Sequence, residues 1–143
     1  RRIGGSTVRC LYPPRFIPAP HTCNNHSQVL KIADSSLSFL FTGDIESEVE
    51  QRLLKTHRRR LPARVLKVPH HGSDSSSTLP FLKAVNPSVG LFSYGKHNFY
   101  HFPHPRVVRD YQQMGIWMLA TAELGGIRVT TGADQELIIE TSR

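Results

Sequence analysis

The 143 residues, 38% of them hydrophobic, suffice for one buried core and argue for a folded domain over a disordered chain. Eighteen Lys and Arg against eleven Asp and Glu leave a net charge of +7, which suits an anionic partner such as nucleic acid without proving one. No run reaches the about eighteen consecutive apolar residues of a membrane span, and the opening RRIGGSTVRC lacks the apolar core of a signal peptide, so the expectation is a soluble domain.

In chain order, strand-like runs fall at about 6–11, 27–33, 37–42, 64–69, 88–94, 116–120, 126–131 and 135–141. Helices are expected at 46–57, where Ile45, Val49 and Leu53 recur every four residues, at about 78–85, and at 105–115, where Pro105 suits a first helical turn. The stretch 12–26 carries four of the ten prolines and reads as a loop, with no domain boundary and no internal repeat. The order β-β-β-α-β-α-β-α-β-β-β implies helices packed on a mixed sheet, an α/β fold. Cys10 and Cys23 are too few for a disulfide framework or a cysteine-rich zinc site; a single bridge and two unrelated thiols both fit the spacing.

Two strand-like runs end in side chains that bind metals. FTGDIESEVEQ places Asp44 after one, and VLKVPHHGSDSSS places His70 and His71 after another. In open α/β sheets ligands bind beyond the carboxyl ends of strands, and carboxylate with imidazole suits a first-row divalent ion, zinc or manganese. Asp44 equally suits an N-cap for the helix near residue 46, and the histidines suit a polar surface turn. Downstream, His97 and His101 read as loop polarity. His104 precedes Pro105 at a helix start, where a phosphate can be held. The densest basic run, Lys55 to Arg60, contributes Arg58, Arg59 and Arg60 as DNA-binding candidates, although a solvated helix end is the commoner use of such a run.

Five ordered blocks, NNHSQVLKI, FLFTGDIESEVEQRLL, VLKVPHHGSDSSS, NPSVGLFSYGKHN and FPHPRVV, resemble the metallo-β-lactamase-like domain of ComEC-type competence proteins from about residue 5 to residue 131. The resemblance implies the second half of a metallo-β-lactamase-type αββα sandwich, a partial domain. The family's early cluster H-x-[HD]-x-D-H has no counterpart in these residues. It implies that Asp44 bridges two divalent ions, that His70 is a ligand, and that His71 and His104 orient ligands or hold phosphate oxygens. Asn24, Asn25 and Ser27 fall where some relatives place another His. It further implies a nuclease that degrades the strand not imported during natural transformation, with DNA and the membrane channel of the same parent as partners. The domain would lie on the outer side of a bacterial inner membrane, where a Cys10–Cys23 bridge is tolerated. With so few ligands, the chain alone is expected to be inactive. A basic DNA-binding module without catalysis, and a hydrolase of a lactone or phosphocholine ester, are the alternatives.

Overall fold

In a computed structural model, residues 1–14 and 22–143 are described. Part of the loop expected at 12–26 therefore lies outside the described residues. Seven strands form one mixed sheet in sequence order: β1 (Arg2–Ile3), β2 (Ser6–Tyr12), β3 (Val29–Ala33), β4 (Ser38–Phe41), β5 (Val65–Lys67), β6 (Val89–Phe92) and β7 (Trp117–Ala120). Pairing is antiparallel from β1 to β4 and parallel from β4 to β7. The parallel half is built by crossovers through α1 (Ser47–His57), α2 (Leu79–Val85) and α3 (Pro105–Gln113). After β7 comes a short helix, α4 (Thr121–Leu124). The antiparallel hairpin β8 (Ile127–Thr131) and β9 (Leu137–Thr141) follows it.

Side chains alternate across a strand, so adjacent residues serve different cores. On one face Leu40 and Leu66 meet Val49 and Leu53 of α1, Phe81 and Leu82 of α2, and Val107 and Tyr111 of α3. On the other, Val65, Val89 and Leu119 meet Ile127, Val129, Leu137 and Ile139 of the hairpin. The expected elements are present, and β1 and α4 are added to them. Strand β5 ends at Lys67, short of the run expected to 69, because Val68 is followed by Pro69, which has no N–H to donate to a ladder. Among the described residues no helix is long and apolar enough to cross a membrane. Cys10 and Cys23 are both free and exposed, and no bridge joins them.

Candidate metal centre

The four parallel strands deliver their carboxyl ends to one cleft of about 820 Å³. Asp44 follows β4, His70 and His71 follow β5, Ser93 and Tyr94 follow β6, and Thr121 follows β7; all six line it. Thr121 closes the far wall by a reciprocal pair: its hydroxyl donates to the Tyr94 carbonyl at 3.0 Å and accepts from the Tyr94 N–H at 3.1 Å.

The segment at Asp44 is held from the NNHS block. The Ser27 hydroxyl accepts the Asp44 N–H at 2.9 Å, and Asn25 Oδ1 accepts the Glu46 N–H at 3.0 Å. Gly43 has φ +54°, and a Cβ there would stand 2.7 Å from Ser27 Cβ, so the close approach of the two segments requires glycine. Asp44 does not cap α1. Glu46 occupies that position, and the Ser47 N–H is satisfied by the Ser75 carbonyl at 2.8 Å.

His70 (φ 46°, ψ 42°) and His71 (φ 55°, ψ 14°) both adopt the left-handed conformation, uncommon for non-glycine residues. The neighbourhood enforces it. The His70 N–H donates to the Gly43 carbonyl at 3.1 Å, and the Gly72 carbonyl accepts the His104 N–H at 2.8 Å. Gly72 has φ +90°, and a Cβ there would meet Pro103 Cβ at 2.7 Å. Consecutive strained residues at strand ends are the kind of backbone found where a site needs its side chains aimed.

This turn sends the two imidazoles in different directions. His71 Nε2 lies 3.3 Å from Asp44 Oδ1, while His71 Nδ1 meets the Ser93 carbonyl oxygen. His70 Nδ1 instead lies 3.3 Å from the Ser75 hydroxyl and 3.6 Å from Glu46 Oε1. The imidazole against Asp44 is therefore that of His71, where the sequence suggested His70; the paired left-handed residues swing His70 toward Glu46. Glu46, overlooked in the sequence, also accepts from Thr22 Oγ1 at 3.0 Å and Asn24 Nδ2 at 3.3 Å.

The other candidates stand elsewhere. His104 is exposed, and its Nδ1 accepts the Arg106 N–H at 3.3 Å, so it caps α3 itself; its Nε2 is 4.0 Å from Asp74. Arg58, Arg59 and Arg60 are exposed in a 3-10 turn after α1. The 11 residues of that helix set them roughly 16 Å from the cleft end of α1. His97 and His101 are exposed on the loop before α3.

The Asp44–His71 pair has a definite chemistry. The Ser93 carbonyl can only accept, so His71 Nδ1 carries the proton toward it and Nε2 is the nitrogen presented to Asp44. A backbone carbonyl holding Nδ1–H is also the usual way a ligating histidine is oriented. Lys67 lies nearby, its ammonium pushed below its ordinary range by burial while the Asp44 charge opposes that shift. The pair thus offers one carboxylate and one imidazole, donor types that suit a first-row divalent ion. Among the described residues no third His, Cys, Asp or Glu joins it in a group that could hold an ion.

Comparison with known proteins agrees with this reading of the fold. The profile of the Metallo-beta-lactamase superfamily matches residues 13–97. Over 110 residues the chain is 40% identical to the uncharacterized protein YcaI of Escherichia coli (strain K12), covering 77% of this chain and 15% of that one. It is 38% identical over 111 residues to ComE operon protein 3 of Bacillus subtilis (strain 168), covering 78% and 14%. It is 33% identical over 109 residues to Competence protein ComA of Neisseria gonorrhoeae, covering 76% and 16%. The matched segment spans about 15% of the length of these relatives.

Proposed function

The chain belongs to the metallo-beta-lactamase superfamily, among the ComEC-type competence proteins, and from that premise we propose that it is the part of a phosphodiesterase domain that carries Asp44 and His71. Its place would be in DNA uptake, on the outer side of a bacterial inner membrane beside the channel of its parent. Its substrate would be the DNA strand that is not imported. The observation that carries the reading is the imidazole of His71, fixed by a carbonyl on one nitrogen and set against Asp44 by the other, at the carboxyl ends of parallel strands.

Asp44 and His71 would hold a divalent ion, manganese or zinc, with the remaining ligands and a second ion supplied by another part of the parent. When bound, such ions lower the pKa of water and stabilise charge on a leaving oxygen. The residues of this chain do the rest. The Ser93 carbonyl fixes the tautomer of His71, Ser27 and Asn25 hold the Asp44 segment, and Ser75 and Glu46 stand against Nδ1 of His70. His104 caps the start of α3 through Nδ1.

The test compares this chain with one extended upstream through a His/Asp-rich cluster, each incubated with single- and double-stranded DNA and manganese or zinc. The extended protein is expected to cut, to lose activity on Asp44→Ala, and to lose metal affinity by at least about tenfold on His71→Ala, read by calorimetry. This chain alone is expected not to cut. Robust cutting that survives Asp44→Ala would sink the assignment, and hydrolysis of a small ester with no action on DNA would move it to another substrate class.

A further inference from the structure

The loop between β6 and α3 spends apolar surface in an unusual way. Phe99 is 97% exposed and Tyr100 77% exposed, consecutive in the chain, and Tyr100 lines the cleft. The loop is braced from within: Asn98 Nδ2 donates to the Phe102 carbonyl at 2.9 Å and to the Gly95 carbonyl at 3.3 Å, while Asn98 Oδ1 accepts the Phe102 N–H at 2.7 Å. A closed turn of this kind holds the backbone that carries the two outer rings. Behind them the rings continue inward. Tyr100 stacks on Phe102 with centroids 5.4 Å apart and planes 15° apart, and Phe102 stacks on His71 at 6.4 Å and 20°. The result is a row of near-parallel rings from solvent to the imidazole that faces Asp44.

We propose that Phe99 and Tyr100 form a stacking lip for unpaired nucleobases at the mouth of the cleft, selecting single-stranded DNA; the inference rests on the phosphodiester reading above. Every base has a π face, so aromatic platforms beside positive charge grip single strands with little regard to sequence, and they cannot engage bases still stacked in a duplex. Lys96, exposed in the same loop, supplies charge for the backbone, with His97 and His101 beside it. Among the described lining residues Asp44 is the one carboxylate. An exposed aromatic pair with a lysine also suits a bilayer surface, but the ring row leads into the cleft, which a bilayer contact would not need.

The experiment measures binding of the extended protein by fluorescence anisotropy to a labelled oligothymidylate, an abasic strand of the same length and a duplex. Binding to phosphatidylglycerol vesicles is measured alongside. Wild type should prefer the oligothymidylate over the abasic strand by roughly tenfold or more. The double variant Phe99→Ala/Tyr100→Ala should lose that preference, and Phe99→Trp/Tyr100→Trp should keep it. Both residues are exposed, so the fold should survive, with circular dichroism as the check. Equal affinity for abasic and thymidine strands, or a preference that survives the alanine variant, overturns the lip. Vesicle binding lost in the alanine variant, with no base preference in the wild type, overturns it in favour of a membrane contact. An Asp44→Ala protein should keep the base preference. Cutting that proves independent of Asp44 would defeat the phosphodiester reading while the binding arms still judge the lip.

Discussion

Ser93 and Ser75 separate two adjacent histidines by what each Nδ1 meets. His71 donates through Nδ1 to the Ser93 carbonyl, which leaves Nε2 toward Asp44. His70, which also lines the cleft, meets Ser75 and Glu46 through Nδ1. Titrating manganese or zinc into the extended protein should therefore show a larger affinity loss for His71→Ala than for His70→Ala, and the reverse order would reassign the ligand. A buried group elsewhere bears on stability. Glu50 of α1 is fully buried, with Oε1 accepting the Ser77 N–H at 2.6 Å and Oε2 accepting the Thr78 N–H at 2.9 Å and hydroxyl at 2.7 Å. Its carboxylate thus closes the start of α2, where no side chain of α2 does so. Burial pushes the Glu50 carboxyl above its ordinary 4.5, against the opposing pull of these donors and of Arg106. A raised acid pKa means that the folded state binds the proton more tightly. Glu50 therefore favours folding most below 4.5 and loses that contribution as pH rises through its raised value. Glu50→Gln should remove this slope. Urea unfolding of both proteins over a series of pH values measures it, and a slope that persists in Glu50→Gln would assign it to another group.

The segment after the histidines shows how α3 stabilises the site without touching it. Arg106 in its first turn donates to the carbonyls of Asp74 at 2.9 Å, Ser76 at 2.7 Å and Ser77 at 3.4 Å, and pairs with Asp110 at 2.8 Å. One guanidinium thus gathers a run of carbonyls that no strand or helix satisfies. Replacing it with alanine should cost about 1.5–3 kcal/mol and speed hydrogen exchange across residues 73–78, and lysine should rescue little, since a point charge cannot reproduce the planar fork. If exchange there is unchanged in Arg106→Ala, the clamp is not what orders the loop. The same contacts explain what could be read in the sequence. Periodicity located α1, α2, α3 and the strands, because each buries a regular stripe or face. The strand-end rule brought Asp44, His70 and His71 to one cleft. Nothing local distinguishes His70 from His71, since that choice depends on Ser93, 22 residues on, and on two left-handed residues. Glu46, Glu50 and Arg106 were hidden for the same reason: each looks like an ordinary charge on a helix until its partners on other elements are known.

A net charge of +7 spread over a fold with its cleft at one edge separates attraction from chemistry. The Arg58–Arg60 turn stands a helix length from Asp44, so whatever it contributes to DNA binding is long-range or reaches a distant part of the strand. Counterion release gives that contribution a signature: each neutralised phosphate of a single strand adds about 0.7 to the slope of log affinity against log salt. A triple Arg58→Gln, Arg59→Gln, Arg60→Gln variant should lower the slope by up to about 2, and weaken thymidine and abasic strands alike. The aromatic lip should do the opposite, altering base preference while leaving the slope where it was, because stacking neutralises no phosphate. Anisotropy titrations over a series of salt concentrations measure both quantities on the same samples. A slope unchanged by the triple substitution would assign the arginines to the solvated end of α1. A base preference that vanished with them would mean that the strand is read at that distant turn, and that the cleft does not select it.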